Sequence, residues 1–198
     1  MKAHLLFLLY AISLSVSAQH KLYDVALSYG IYSAPTLKQS HSKDYFLVDF
    51  SYHLTKRWIL TSGFTSGQFN YYDDIRSNAD TEVTKYTTAN TNARGYDFHT
   101  YAVIKYNIIA LSRFRLQAGA GIGMLTQRLK YPYRQPCSSG CAVFIGEESS
   151  TVLEFPVRAE VYYLLTNWIG LGVTAGGFIN PTSSNTGIHF GPQIRLNL

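Results

Sequence analysis

The chain is poor in charge and nearly free of cysteine. Asp, Glu, Lys and Arg together make up 15% of its 198 residues, and it has 2 Cys and 6 Pro. Two cysteines do not make a disulfide-dense scaffold. Beyond residue 18 no apolar run approaches the roughly 20 residues that a membrane-crossing helix needs. The histidines are scattered, and neither zinc-type nor EF-hand ligand spacing is present, so no metal or other cofactor is expected. The formal charge is +5, but Lys and Arg are dispersed rather than blocked, which argues against nucleic acid as a partner.

Aromatics and alternation are plentiful. Phe, Trp and Tyr make up 15% of the chain, with 16 Tyr. Lys2, an apolar stretch over residues 5–16 and the small residues Ser15, Ser17 and Ala18 have the order of a secretory signal peptide. Residues 1–18 are therefore expected to be removed, which leaves residues 19–198 as one domain. No Cys follows the cleavage point, which argues against a lipid anchor.

The last residues show the pattern most clearly. Ile188, Phe190, Pro192, Ile194, Leu196 and Leu198 share one parity; His189, Gly191, Gln193, Arg195 and Asn197 share the other. Side chains alternate across a strand, so this segment has one apolar and one polar face. The same rhythm predicts strands over residues 23–32, 44–54, 58–69, 96–107, 114–127, 151–165, 168–179 and 187–198. Their apolar parity includes Leu27, Phe50, Leu60, Ile104, Ile122, Val157 and Leu171, and no position assigned to it is charged. Ser62 and Ser66 interrupt the apolar stripe of the third strand, and Pro156 and Pro192 fall inside strands, where a bulge or a strand boundary shifted by a few residues is expected.

The connections after the second, fourth and sixth strands are short, while the others are longer. Short turns at one end, long loops at the other and an even strand count suit a closed barrel in a bilayer. A Lys or Arg at the midplane of such a barrel costs ~2–4 kcal/mol, which accounts for the uncharged parity. Closure follows, because an open edge would leave backbone groups unpaired in hydrocarbon. The expected fold is all-β: a closed eight-stranded antiparallel up-and-down transmembrane β-barrel.

On these features the mature chain resembles the small eight-stranded outer-membrane β-barrels, the OmpA/OmpX/OmpW-like group. The resemblance is architectural and covers residues 19–198. It implies the bacterial outer membrane, with outer-membrane lipid and lipopolysaccharide as surroundings. It also implies an insertion signal read by barrel-assembly machinery at His189, Gly191, Ile194 and Leu196. The terminal Leu198 departs from the aromatic residue that many such barrels carry.

The enclosed face holds Asp24, Asp49, Asp97, Glu154 and Glu160 against Lys105, Arg115, Arg158 and Arg195. An eight-stranded interior is just wide enough for side chains to fill, so these groups are expected to form one salt-bridged plug. The alternatives are a narrow pore for ions or small solutes and a small-ligand site. Lipid A-modifying barrels of the PagL and PagP type share the architecture, which makes an acyl enzyme the third reading. Here, however, no His has Ser two residues on, as a PagL-type motif requires. Cys137 and Cys141 enclose three residues of one loop and are expected to pair as a disulfide in an oxidising compartment.

Trp58, Tyr106, Phe114 and Trp168 flank the short turns and are expected to form the periplasmic aromatic girdle. Lys38, Lys43, Arg128, Lys130 and Arg134 lie near the opposite strand ends, where lipopolysaccharide phosphates or solvent would meet them. The sequence thus points to a barrel with no catalytic site. It would act through its external loops as a surface contact or structural module, or as a subunit with an envelope protein partner.

Overall fold

The computed structural model describes residues 22–34, 39–71, 93–134, 143–181 and 187–198. The expected signal peptide, Cys137 and Cys141 lie outside them. Eight strands follow in chain order: β1 (Tyr23–Ser33), β2 (Gln39–His53), β3 (Trp58–Tyr71), β4 (Ala93–Ala110), β5 (Phe114–Arg134), β6 (Val143–Leu164), β7 (Ile169–Ile179) and β8 (Gly187–Asn197). Each pairs antiparallel with its neighbour in sequence, and β8 pairs with β1 to close the barrel.

The alternation of the sequence becomes the wall of the barrel. Asp24, Ala26 and Ser28 are buried inside, while Leu27, Tyr29 and Ile31 are exposed outside. Leu60, Ile104, Ile122, Val157, Leu171, Phe190 and Ile194 continue the exposed apolar surface around the ring. Ser62 and Ser66 also face outward. An exposed apolar surface this continuous belongs in hydrocarbon rather than water.

Register fixes the stagger. From Tyr23 the paired positions run through Tyr52, Leu60, Ile104, Ala120, Val157, Gly177 and Ile188 to Ser33. The path returns to β1 ten residues on, from Tyr23 to Ser33. Strand number and stagger together set tilt and diameter.

Two of the short turns share one device. Thr55 Oγ1 accepts from the backbone N–H groups of Arg57 (3.1 Å) and Trp58 (2.9 Å). Thr166 Oγ1 accepts from those of Trp168 and Ile169, both at 3.1 Å. A hydroxyl that satisfies two free N–H groups holds each reversal tight.

Three expectations change. No bulge forms at Pro156 or Pro192, because the register is the same on both sides of each. A strand residue directs its N–H to one neighbour only, so a proline weakens one ladder and spares the other. Pro192 keeps its partner Val173 on β7, while the β1–β8 ladder skips Tyr29 and Gly30. The free Pro192 carbonyl there accepts from the Ser28 hydroxyl at 2.7 Å. The skipped stretch is also tight: a Cβ on Gly191 would lie 2.4 Å from the Tyr29 carbonyl oxygen. Register shifts occur elsewhere, between Ser42 and Tyr45 and between Asn107 and Ile109.

Secondly, β5 and β6 do not stop at residues 127 and 151. They stay paired out to Arg134 and Val143 as one long hairpin. Beyond the lipid band neither face meets hydrocarbon, so the two-beat hydropathy fades while the backbone ladder continues. Thirdly, the inside is not polar throughout. Tyr32, Tyr45, Leu47, Phe69, Tyr71, Tyr101, Val103 and Phe178 pack together in the lumen.

Candidate functional site: the lumen and the outer rim

The inner half of the lumen is built from charged side chains on five strands. Asp24 on β1 accepts from Arg195 Nη1 on β8, at 3.1 Å to each oxygen, and lies 2.7 Å from His53 Nε2 on β2. Arg195 Nη2 donates to Glu160 on β6. Glu160 also accepts from Lys105 Nζ on β4 at 2.6 Å. Lys105 reaches Asp49 on β2 at 3.1 Å, and Asp49 accepts from Arg158 on β6. The Tyr101 hydroxyl donates to the second Asp49 oxygen at 2.8 Å.

Asp24, Asp49 and Glu160 thus alternate with Lys105, Arg158 and Arg195, all at most 2% exposed. Signs balance without His53. Charges out of water are tolerated when each is paired and hydrogen-bonded. Two rings add to this: the Arg158 guanidinium lies 4.7 Å from the centroid of Tyr101, and that of Arg195 lies 4.3 Å from Tyr162.

Asp97 and Glu154 were expected in the same plug, and neither joins the ionic chain. Both sit further towards the outer end, in a separate cluster. The Tyr32 hydroxyl donates to Asp97 at 2.6 Å and lies 2.9 Å from His99 Nε2. The other ring nitrogen, Nδ1, lies 2.8 Å from Glu154. Gln127 donates to Asp97 at 2.9 Å. Phe178 stacks on His99 with centroids 3.8 Å apart. Arg115 also stays outside the chain: it is half-buried near a short turn, and its Nε finds no partner.

The aromatic positions form a band at the short-turn end. Trp58 and Trp168 are 48% and 62% exposed. Trp58 meets Tyr106 edge-on at 4.9 Å, and Arg57 donates to the Tyr106 hydroxyl at 2.9 Å. Phe114 pairs in register with Tyr163, an outward aromatic that belongs to the same band. Tyr23 and Tyr52 join it, with centroids 5.2 Å apart. On β8, His189 and Gly191 face the lumen, while Ile194 and Leu196 face out.

Sequence reasoning missed the lumen aromatics. Tyr32, Tyr45, Phe69 and Phe178 lie on the inward parity of their strands, which was the available signal. Backbone makes room for them: Gly67 and Gly187 lie where any Cβ would collide with the Tyr32 ring or hydroxyl. Among the described residues, a row of polar atoms on the β6–β8 wall finds no protein partner. These are Arg158 Nε and Nη2, Thr174 Oγ1, both ring nitrogens of His189 and both amide atoms of Gln193.

At the outer end the outward parity acquires charge. Asp44 on β2, Arg94 on β4, Arg128 and Lys130 on β5, and Glu147 on β6 are exposed there. Between them and the aromatic band the described outward positions carry none.

A closed ring of eight antiparallel strands, apolar outside and ionic in the inner half of its lumen, is the fold of the small outer-membrane β-barrels. Solved structures of that type share its fold. Neisserial surface protein A aligns over 90% of this chain and 98% of its own, with 12% identity and a TM-score of 0.56. The N-terminal β-barrel domain of OprF from Pseudomonas aeruginosa aligns over 91% and 100%, with 12% identity and a TM-score of 0.51. Ail, the attachment invasion locus protein of Yersinia pestis, in complex with the heparin analogue sucrose octasulfate, aligns over 89% and 100%, with 9% identity and a TM-score of 0.50. No protein-family model and no curated protein matches the sequence.

Proposed function

We propose that this chain is a non-enzymatic barrel of the bacterial outer membrane, its lumen filled by side chains. It acts through its external elements, as a surface-contact or structural module or as a subunit of an envelope complex. The observation that carries this reading is the balanced ionic chain from Asp24 to Arg158, which spans the lumen with every charge paired. Conduction would require breaking several such contacts at once. Among the described elements the long β5–β6 hairpin is the best placed for contact, because it rises past the described ends of its neighbours β4 and β7.

Acyl transfer needs a nucleophile held by a base. His99 is occupied by Tyr32 and Glu154, and His53 by Asp24. None of these partners is a Ser, Thr or Cys. Both imidazoles are engaged within the lumen's own networks, which supports a non-enzymatic role.

The test joins two measurements on the mature chain. In planar bilayers the barrel should give no steady conductance. On cells, trimming the hairpin back to Gln127 and Ser150 should abolish contact with the surface or envelope partner and leave membrane insertion intact. A steady ohmic current would remove the filled-lumen reading, and unchanged contact would remove the hairpin.

One observation favours a second reading, a narrow pore for ions or small solutes. The unpartnered atoms of Arg158, Thr174, His189 and Gln193 lie on three adjacent strands. Buried polar groups of this kind are ordinarily satisfied by internal water. A file of water along that wall would be a start for a conducting path, and the same bilayer recording decides between the two.

A further inference from the structure

We propose that the outer face of β3–β5, just above the lipid band, is a docking site for a doubly phosphorylated glycolipid headgroup of the outer leaflet. The proposal rests on the outer-membrane placement argued above.

Three cations meet there through register. Arg94 on β4 is the direct partner of Lys130 on β5, and Tyr96 is the direct partner of Arg128 two positions below. Partners across an antiparallel pair have Cα atoms about 4.5–5.5 Å apart, so the three cationic arms start from one small patch. All three residues lie on the outward parity and are exposed. Lys130 Nζ sits 5.8 Å from the centre of the Tyr96 ring. Asn70 and Gln68 of β3 pair with Arg94 and Tyr96, which adds amide groups to the same surface.

Among the described residues, charge sets this sector apart from the rest of the rim. Glu147 of β6 touches Arg128 at 4.0 Å and Lys130 at 3.7 Å, and it is the single acid on the patch's own parity among the described residues, the exposed Glu148 lying on the opposite parity. Three cations against one acid leave a surplus of two positive charges. On the β2 side the outward charge is Asp44, of the opposite sign. Described outward positions of β7 and β8 carry no charge.

Height and the surface below fit the same occupant. Phe98, two positions below Tyr96, stacks on Phe64 at 5.9 Å, and Ile122 and Met124 stand exposed beside them. These make an apolar wall for acyl chains directly beneath the cations. Arg and Lys bind phosphate through short, charge-assisted hydrogen bonds. A headgroup with two phosphates matches the surplus, and its chains match the wall. A free phosphate would use only the upper half, and an acidic protein loop would have no use for the apolar wall.

The experiment uses the mature chain folded in detergent, with hexa-acylated lipid A carrying two phosphates, its monophosphoryl form and phosphatidylethanolamine as probes. Retention is read by native mass spectrometry. The doubly phosphorylated form should be held most tightly, and its binding should weaken as salt rises from about 0.05 to 0.5 M. Each basic residue near a membrane surface changes affinity about fivefold, so the triple variant Arg94→Gln, Arg128→Gln, Lys130→Gln should bind about a hundredfold more weakly. Lys56→Gln, at the opposite end, should bind as the parent does. Heat-modifiable migration on gels checks that each variant is folded. Binding by the triple variant within about twofold of the parent, or no preference among the three lipids, overturns the site. Displacement of bound lipid A by inorganic phosphate at equal concentration also overturns it, because the acyl wall would then be irrelevant. Failure of the parent chain to fold as a heat-modifiable barrel would instead strike at the membrane reading itself.

Discussion

Arg158→Ala is the most direct perturbation of the lumen. The change removes the guanidinium that donates to Asp49 and lies over the Tyr101 ring. Asp49 keeps Lys105 and the Tyr101 hydroxyl, but Lys105 is already shared with Glu160. The ionic chain falls from three acids and three cations to three acids and two cations, in a space closed to solvent. Breaking a buried pair by removing one partner costs ~3–5 kcal/mol, because an uncompensated charge stays behind. Arg128→Ala is the comparison: its contact to Glu147 is 4.0 Å long and its side chain is 62% exposed. A pair of that kind contributes ~0–1 kcal/mol. Urea unfolding in lipid, followed by tryptophan fluorescence, should therefore separate the two variants by several kcal/mol in the same direction. The double variant Arg158→Met, Asp49→Asn removes both charges and should recover part of the loss. Equal midpoints for Arg158→Ala and Arg128→Ala would refute the claim that the lumen charges hold the barrel together.

Other expectations follow from single positions. Leu171→Lys places a charge on the lipid face and should destabilise the inserted barrel by ~2–4 kcal/mol, with little effect on the chain in urea; insertion equilibria in lipid check it. Gly191→Ala drives a Cβ to 2.4 Å from the Tyr29 carbonyl. It should cost ~1–3 kcal/mol through forced backbone movement, and a parent-like urea midpoint would remove that reading of the close contact. A tag near Ser139 should be labelled on intact cells and one at Lys56 should not; the reverse pattern would invert the topology. Thiol titration of the mature chain, denatured without reductant, should find no free thiol, whereas reactive Cys137 and Cys141 would argue against their pairing.

How much was legible in the sequence depends on distance along the chain. A two-residue period needs only neighbours to be read. It places Leu27 outside and Asp24 inside, and it put every described charged side chain of the predicted strands except Asp44, at a strand end, on the inward parity. The turns were local as well: Thr55 and Thr166 sit where a hydroxyl closes a reversal before Trp58 and Trp168. Closure followed from solvent, since a strand with one uncharged apolar face cannot leave an edge open in hydrocarbon.

Pairing was not legible, because it depends on stagger. Nothing local shows that Lys105 on β4 reaches Glu160 on β6, or that Arg195 at the end of the chain closes on Asp24 at its start. Those meetings are fixed by the ten-residue shift between Tyr23 and Ser33, which tilts the strands and decides which inward side chains share a level. The same tilt lifts Asp97 and Glu154 into a separate cluster with Tyr32 and His99. It also sets Arg94 beside Lys130, although 36 residues separate them in sequence, from position 94 to position 130. The amino-acid order by itself determined which side of the wall each residue occupies. Only the closed, staggered barrel decided its neighbours, because a side chain's height in the lumen is a property of the whole ring.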